Sequence, residues 1–83
     1  MQSIEQVKLI LSDVLALGQR TEALKPDTAL LGNFPELDSM AVISVITAME
    51  ERFNIAFDDE EINADAFRTL GSLSMLVDRK RAQ

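Results

Sequence analysis

The chain has 83 residues, 47% of them hydrophobic, and its 8 basic and 14 acidic side chains leave a formal net charge of −6. A single small core stabilised by packing is expected, and a large enclosed active site is excluded. The chain contains no cysteine, which excludes disulfides, a cysteine metal cluster and a thiol nucleophile of its own. It also contains no histidine, the usual proton carrier near neutral pH, and its negative charge argues against nucleic-acid binding.

The N-terminal segment does not resemble an export signal. Glu5, Lys8 and Asp13 interrupt any apolar core that a signal peptide would need. No uncharged apolar run approaches the roughly 20 residues that a membrane-spanning helix requires. We therefore expect a cytoplasmic protein without a membrane span.

The first helix is predicted from a helical repeat of apolar residues. Ser3 and Gln6 stand at capping-box spacing in front of it. The apolar positions that follow are Ile4, Val7, Ile10, Leu11, Val14 and Leu15. The helix is expected to run to about Leu17, with Gly18 in the left-handed conformation just past its end.

A long connection follows, and its proline and glycine content predicts a loop. The turn-forming residues in it are Pro26, Gly32 and Pro35. The apolar residues expected to pack it against the core are Leu24, Leu30, Leu31 and Phe34. Structureless loops of about twenty residues are uncommon in compact domains and are often functional. The end of this loop is therefore the first place to look for a site.

The second helix is predicted to begin at the end of that loop. Asp38 and Ser39 are both good N-cap residues, and the apolar stretch from Met40 through Phe53 lacks glycine and proline. One expected core stripe consists of Met40, Ile43, Ile46, Met49 and Phe53, widened by Val42 and Val45. The remaining face is expected to be small and mostly uncharged, and consists of Ala41, Ser44, Thr47, Ala48 and Glu51.

Two further helices complete the predicted fold. Asp58 and Glu61 stand at capping-box spacing and predict a short third helix. Thr69 is the expected N-cap of the last helix, whose apolar repeat is Leu70, Leu73, Leu76 and Val77 and whose basic end is Arg79, Lys80 and Arg81. The fold class is therefore all-α: a four-helix bundle of three main helices and one short one, with a long loop between helices one and two.

The run Leu37-Asp38-Ser39-Met40 resembles the phosphopantetheine attachment motif of acyl carrier proteins, in which Asp-Ser-Leu or Asp-Ser-Met opens the second helix. The resemblance extends over nearly all of the chain. The other similar segments are residues 28–32, 49–53, 58–62 and 69–73. Their order and spacing make the resemblance specific.

The resemblance implies a four-helix carrier fold, and residues 1–83 are expected to form a single monomeric domain. A free-standing carrier is expected because the first helix begins at Ser3 and the chain ends shortly after Val77. A separate phosphopantetheinyl transferase would move 4'-phosphopantetheine from coenzyme A onto the hydroxyl of Ser39, and the thiol of the arm would then hold acyl groups. By analogy with the family, Asp38 helps to hold the magnesium ion of the coenzyme during this transfer. No catalytic residue and no resident metal site are implied, so the chain is expected not to be an enzyme.

The residues themselves suit this role. A serine in the first turn of a helix after a long loop is expected to be exposed. Unpaired amides and the positive end of the helix dipole favour a phosphate ester there. A chain without cysteine must also import any thiol that it uses. Helix capping alone is the competing interpretation of Asp38 and Ser39, and capping and attachment are compatible.

The resemblance also implies partner enzymes that activate or transfer acyl groups and dock on the second helix. The candidate docking residues are Met40, Ala41, Ser44, Ala48, Glu50 and Glu51. Typical fatty-acid carriers have acidic side chains in the early turns of this helix, where this chain has Ala41 and Ser44. Charge steering would then fall to Asp38, Glu50, Glu51 and residues 58–61. This departure predicts a specialised lipid or secondary-metabolite pathway, for example a polyketide pathway, rather than housekeeping fatty acid biosynthesis.

The methionines and the acidic run have ordinary structural interpretations. Ordinary core packing is preferred for Met40, Met49 and Met75, although flexible methionines are also suited to an acyl pocket. Residues 58–61 lack the ligand spacing and central glycine of a calcium loop, so a solvated helix start is expected.

Three alternatives remain beside the acyl carrier. An aminoacyl or peptidyl carrier shares the fold and the modified serine, but more often has a glycine-rich approach to it. A helical interaction adaptor would use the neutral face of helix two and carry no prosthetic group. A small hydrolase would need a general base beside Ser39, and without histidine it is the least favoured.

Overall fold

The computed structural model describes residues 3–34 and 37–82, and these form an all-α bundle. The three main helices are α1 (Ile4–Leu15), α2 (Ser39–Phe53) and α3 (Leu70–Arg81). Two short 3-10 helices, Gly18–Ala23 and Asp59–Glu61, lie in the connections. The predicted fold class is confirmed, and the short third helix is a single 3-10 turn with the expected capping box. The 3-10 helix at Gly18–Ala23 was not predicted. Pro35 of the predicted loop lies outside the described residues.

Helix α1 is shorter than predicted and begins differently. It ends at Leu15, and its left-handed C-cap is Ala16, with φ 53°. Gly18 has the predicted left-handed conformation, with φ 58°, but lies two residues beyond this cap. The capping box expected from Ser3 and Gln6 is wrong, because Ser3 has a helical backbone and makes no side-chain cap. The Ser3 hydroxyl instead donates a 2.6 Å hydrogen bond to Oδ1 of Asp78. The start of α1 is thus joined to the end of α3.

The core lies where the three helices meet, and the connection contributes to it. Helix α1 buries Val7, Leu11 and Leu15 at a four-residue spacing. The other core side chains are Leu17, Leu24, Leu30, Leu37, Val45, Ile46, Met49, Phe67, Leu70, Leu73 and Val77. Among the described helices, none is long and apolar enough to cross a membrane.

Backbone hydrogen bonds fix the long connection against the start of α3. The amide of Leu70 donates to the carbonyl of Thr28 at 3.0 Å, and the amide of Gly71 donates to the carbonyl of Pro26 at 2.7 Å. A β-carbon at Gly71 would lie 2.7 Å from that same Pro26 oxygen, so only glycine permits this approach. The connection is therefore packed, and of its predicted anchors Leu24 and Leu30 are buried and Phe34 is half-buried, whereas Leu31 is 40% exposed and the prediction for it is wrong.

Candidate functional site

The start of α2 is built by Asp38. This residue is the N-cap, with extended backbone angles, and its Oδ1 accepts a 2.8 Å hydrogen bond from the amide of Ala41. Ser39 is the first helical residue. The sequence offered both Asp38 and Ser39 as N-cap residues. In the structure Asp38 is the N-cap, and Ser39 is the first residue of the helix.

Ser39 differs from most other serines of the chain in its exposure. Ser3 and Ser74 are buried, Ser12 and Ser72 are half-buried, and only Ser39 and Ser44 are exposed. The described side-chain hydrogen bonds of the buried and half-buried hydroxyls include those of Ser3 to Asp78 and of Ser72 to the carbonyls of Ala66 and Thr69.

The two exposed serines have different helical environments. Ser44 lies in the middle of α2, whereas Ser39 lies in the first turn. The amides of a first turn have no acceptor within their own helix and carry the positive end of its dipole. A phosphate ester at Ser39 would therefore be stabilised, and 4'-phosphopantetheine fits this position.

The segment leading into α2 is anchored on its core side. Leu37 is 8% exposed, and its amide donates to the carbonyl of Phe34 at 3.0 Å. The guanidinium of Arg20 lies 6.0 Å from the centre of the Phe34 ring. The buried Leu37 therefore anchors the chain directly before Asp38 and Ser39, which are both exposed.

The exposed face of α2 differs from the sequence prediction. Met40 is 72% exposed and Ile43 is 60% exposed, so the prediction that both belong to the covered stripe is wrong. The residues of α2 that are buried are Val45, Ile46 and Met49. A rotation of about 100° per residue explains the error, because it places Met40 on the same face as the exposed residues Thr47 and Glu51. The polar residues Thr47 and Glu51 therefore mark the exposed face of α2. The predicted apolar stripe combined residues of this exposed face with residues of the buried face.

The candidate docking residues lie at different depths. Met40, Ser44 and Glu51 are exposed, whereas Ala41, Ala48 and Glu50 are half-buried. Oε2 of Glu50 accepts a 2.9 Å hydrogen bond from the amide of Phe57, so this carboxylate supports the following loop. Ile43 and Thr47 are exposed residues of this face that the candidate docking residues did not include.

Met49 and Met75 also differ in their environments. Met49 is completely buried in the core, as ordinary packing predicts, while Met75 on α3 is 66% exposed. Core packing is therefore wrong as an interpretation of Met75.

The acidic run after α2 caps a helical turn. Asp58 and Glu61 form the reciprocal capping box, and Oε1 of Glu61 also lies 3.0 Å from Nζ of Lys80. The hydrogen bond from the Asp58 amide, followed by the bond from Lys80, lowers the pKa of Glu61. Within 3–34 and 37–82, no group of three or more acidic side chains is arranged to hold a metal ion.

An all-α bundle that displays an exposed serine in the first turn of its second helix has the architecture of a carrier domain. The family model described as phosphopantetheine attachment site matches residues 5–77. A solution NMR structure of a holo acyl carrier protein from Nitrosomonas europaea is 54% identical, with a TM-score of 0.93 and coverage of 100% of both chains.

The chain belongs to the acyl carrier protein family, whose members hold 4'-phosphopantetheine covalently. It is a carrier and not an enzyme. The resemblance of residues 37–40 and of the four other segments predicted this family correctly.

Proposed function

We propose that Ser39 carries 4'-phosphopantetheine and that the thiol of this arm holds acyl intermediates as thioesters and presents them to partner enzymes. The observation that carries the proposal is the exposed hydroxyl of Ser39 in the first turn of α2. Ser44, the other exposed serine, lacks the unpaired amides of a helix start.

The loading step is a phosphoryl-group transfer catalysed by a separate phosphopantetheinyl transferase. The Ser39 oxygen forms a bond to the phosphorus that carries the pantetheine arm, and the pyrophosphate bond of coenzyme A breaks. The hydroxyl proton goes to a base of the transferase, and adenosine 3',5'-bisphosphate leaves. The exposed carboxylate of Asp38 is suited to contact the magnesium ion of the coenzyme, because magnesium prefers oxygen ligands.

Partner enzymes are proposed to dock on the exposed face of α2. Met40, Ile43 and Ser44 supply close contact without charge, and Ala41 and Ala48 flank it at half-buried positions. Charge steering comes from Asp38, Glu51 and residues 58–61, while Glu50 is partly occupied by the Phe57 amide. Because the early turns of α2 carry no carboxylate after Asp38, we assign the carrier to a specialised lipid or secondary-metabolite pathway.

The cargo is proposed to be acyl rather than aminoacyl. The similarity to a holo acyl carrier protein over the full length supports this choice. The protein is proposed to act in the cytoplasm as a monomeric single domain.

The experiment that tests the attachment is intact-mass analysis after incubation with coenzyme A, magnesium and a broad-specificity transferase. The wild-type protein and Ser44→Ala should gain one phosphopantetheine, whereas Ser39→Ala should gain none. Circular dichroism of Ser39→Ala checks that it remains folded, as expected for an exposed side chain. Loading of Ser39→Ala, or no loading of the wild type, would refute the proposal.

The experiment that tests the cargo compares enzymes that charge carriers. Holo protein is offered to acyl-activating enzymes with fatty or polyketide acids and to adenylating enzymes with amino acids. Acyl thioesters should form, and exclusive aminoacylation would show that the chain is an aminoacyl carrier. A chain that accepts no arm and no cargo would be an interaction adaptor.

A further inference from the structure

The oxidation chemistry open to this chain is confined to one residue type. The sequence contains no cysteine, histidine, tryptophan or tyrosine, and it contains four methionines. A peroxide that meets the unloaded chain therefore finds thioether sulfur as its main target. Oxidation converts methionine from a flexible apolar side chain into a polar sulfoxide, and reductases reverse this step.

Exposure divides the methionines that the structure describes into two groups. Met40 and Met75 are exposed, at 72% and 66%, whereas Met49 is completely buried in the core. Peroxide reaches the two exposed sulfurs directly, but it reaches Met49 only when the bundle opens. An oxygen added to Met40 or Met75 therefore leaves the core packing intact. Met1 lies outside the described residues.

Of the two exposed methionines, Met40 is the one beside the loading site. It directly follows Ser39 in the first turn of α2, and Ile43 lies three residues further along the same helix. Met40 and Ile43 are the large apolar side chains that α2 exposes. Met75 lies on α3, which contributes no residue to the proposed docking face. Apolar contact between a partner and this face therefore depends on the chemical state of Met40.

A sulfoxide at Met40 would oppose docking. Its oxygen accepts hydrogen bonds, which water provides in the free chain. A partner that covers Met40 removes this water, and burying a polar group without a replacement hydrogen bond costs free energy. The partner also loses the apolar contact of the thioether. Oxidation of Met40 thus acts on the complex and leaves the free fold unchanged.

We propose that Met40 is a reversible oxidation site through which peroxide weakens the docking of partner enzymes at Ser39. The inference rests on the proposed function, because it requires partners to cover the start of α2.

The oxidation step uses hydrogen peroxide as the oxidant. The sulfur of Met40 attacks one peroxide oxygen, a sulfur–oxygen bond forms and the oxygen–oxygen bond breaks. The thioether loses two electrons, and the departing hydroxide takes the proton of the transferred oxygen and leaves as water. A methionine sulfoxide reductase reverses the change, with two thiols becoming a disulfide and the oxygen leaving as water.

The test uses the full-length chain before the arm is attached, because the thiol of the arm would itself react with peroxide. The chain is treated with hydrogen peroxide, the excess is removed with catalase, and peptide mass spectrometry locates the added oxygen. Met40 and Met75 should each gain one oxygen, and Met49 should gain none. The treated chain should keep its circular dichroism spectrum.

The treated chain is then titrated as the substrate of the broad-specificity transferase, with coenzyme A and magnesium. Its KM should rise about fivefold or more, the effect of one lost apolar contact in an interface. Its kcat should change little, because the oxidation removes binding and not chemistry. Incubation of the oxidised chain with reductases for both sulfoxide epimers and a dithiol should restore the KM.

Two leucine variants assign the effect to one sulfur, and each is compared with itself before and after peroxide. Met75→Leu is the matched control, because it removes the other exposed thioether and should show the same rise in KM as the wild type. Met40→Leu keeps an apolar side chain without sulfur, and its KM should not change on treatment. Met1 is present in both variants, so an effect that acts through Met1 would persist in Met40→Leu.

Four outcomes would overturn the proposal. They are oxygen on Met75 with none on Met40, an unchanged KM after full oxidation of Met40, an equal rise in KM for Met40→Leu, and a loss of helix on treatment. The untreated wild type reports separately on the proposed function. If it accepts no arm, the attachment at Ser39 is wrong, whereas equal loading before and after oxidation refutes only the role of Met40.

Discussion

Helices α2 and α3 both begin with a side-chain N-cap, but the serine beside the cap is exposed at α2 and hydrogen-bonded at α3. At α2, Asp38 makes a single side-chain bond to the Ala41 amide, and Ser39 beside it remains exposed. At α3, Thr69 and Ser72 form a reciprocal capping box, and the Ser72 hydroxyl also bonds to the carbonyl of Ala66. A serine near a helix start is thus structural where its hydroxyl is engaged and available where it is not.

The surroundings of the two helix starts explain this difference. The connection pairs with the start of α3 through the amides of Leu30, Leu70 and Gly71. Of residues 37–41, around the start of α2, only Leu37 is buried. The same loop therefore stabilises one helix start and displays the other.

The largest expected effect is on the free energy of unfolding, and it differs between the buried Met49 and the exposed Met40 of α2. Met49→Ala should destabilise the protein by about 2–5 kcal/mol, because it leaves a cavity in the core. Met40→Ala should change the free energy of unfolding by less than about 0.5 kcal/mol, because Met40 is 72% exposed. Urea unfolding measures both. Similar losses in the two variants would show that the exposed start of α2 is part of the core.

The next effect tests the close approach at α3. Alanine normally stabilises a helix relative to glycine by about 1 kcal/mol. Gly71→Ala should instead destabilise by about 1–3 kcal/mol, because its β-carbon meets the Pro26 carbonyl. A stabilised variant in the same unfolding experiment would contradict the packing described for the connection.

A smaller effect compares the two N-caps. Asp38→Ala and Thr69→Ala should each cost about 1 kcal/mol. Asp38→Asn keeps a capping oxygen and should preserve stability, but it should slow transferase loading because the carboxylate charge is lost. Thermal unfolding and loading rates are measured on the same samples. If Asp38→Asn is loaded as fast as the wild type, the proposed role of Asp38 in holding magnesium is wrong.

The smallest expected effect is the loss of one stabilising charge, that of Glu61, at acidic pH. The amide of Asp58 and the ammonium of Lys80 lower the pKa of Glu61, so its charged form stabilises the folded chain. This contribution is present above the pKa of the unfolded chain and is lost as the pH falls through the lower folded pKa. The melting temperature of the wild type should exceed that of Glu61→Gln at neutral pH. The two should converge in acid, and a constant difference would contradict the assignment.

The sequence predicted the class of the fold and the position of each main helix because the apolar repeats and the caps at Asp38, Asp58 and Thr69 are local signals. It failed for Ser3, whose hydroxyl bonds to a residue 75 positions away, and no local pattern reveals such a partner. The exposure of Met40 and Ile43 could have been predicted from the sequence, because the polar residues Ser44, Thr47 and Glu51 of α2 lie on the same face. The roles of the candidate site residues stay predictions until loading is measured.

The most direct measurement is peptide-level mass spectrometry of the loaded wild-type protein. Proteolysis followed by fragmentation assigns the added group to one residue. The account predicts that all of the phosphopantetheine is on Ser39 and none is on Ser44. Modification of Ser44, or of any other residue, would contradict it.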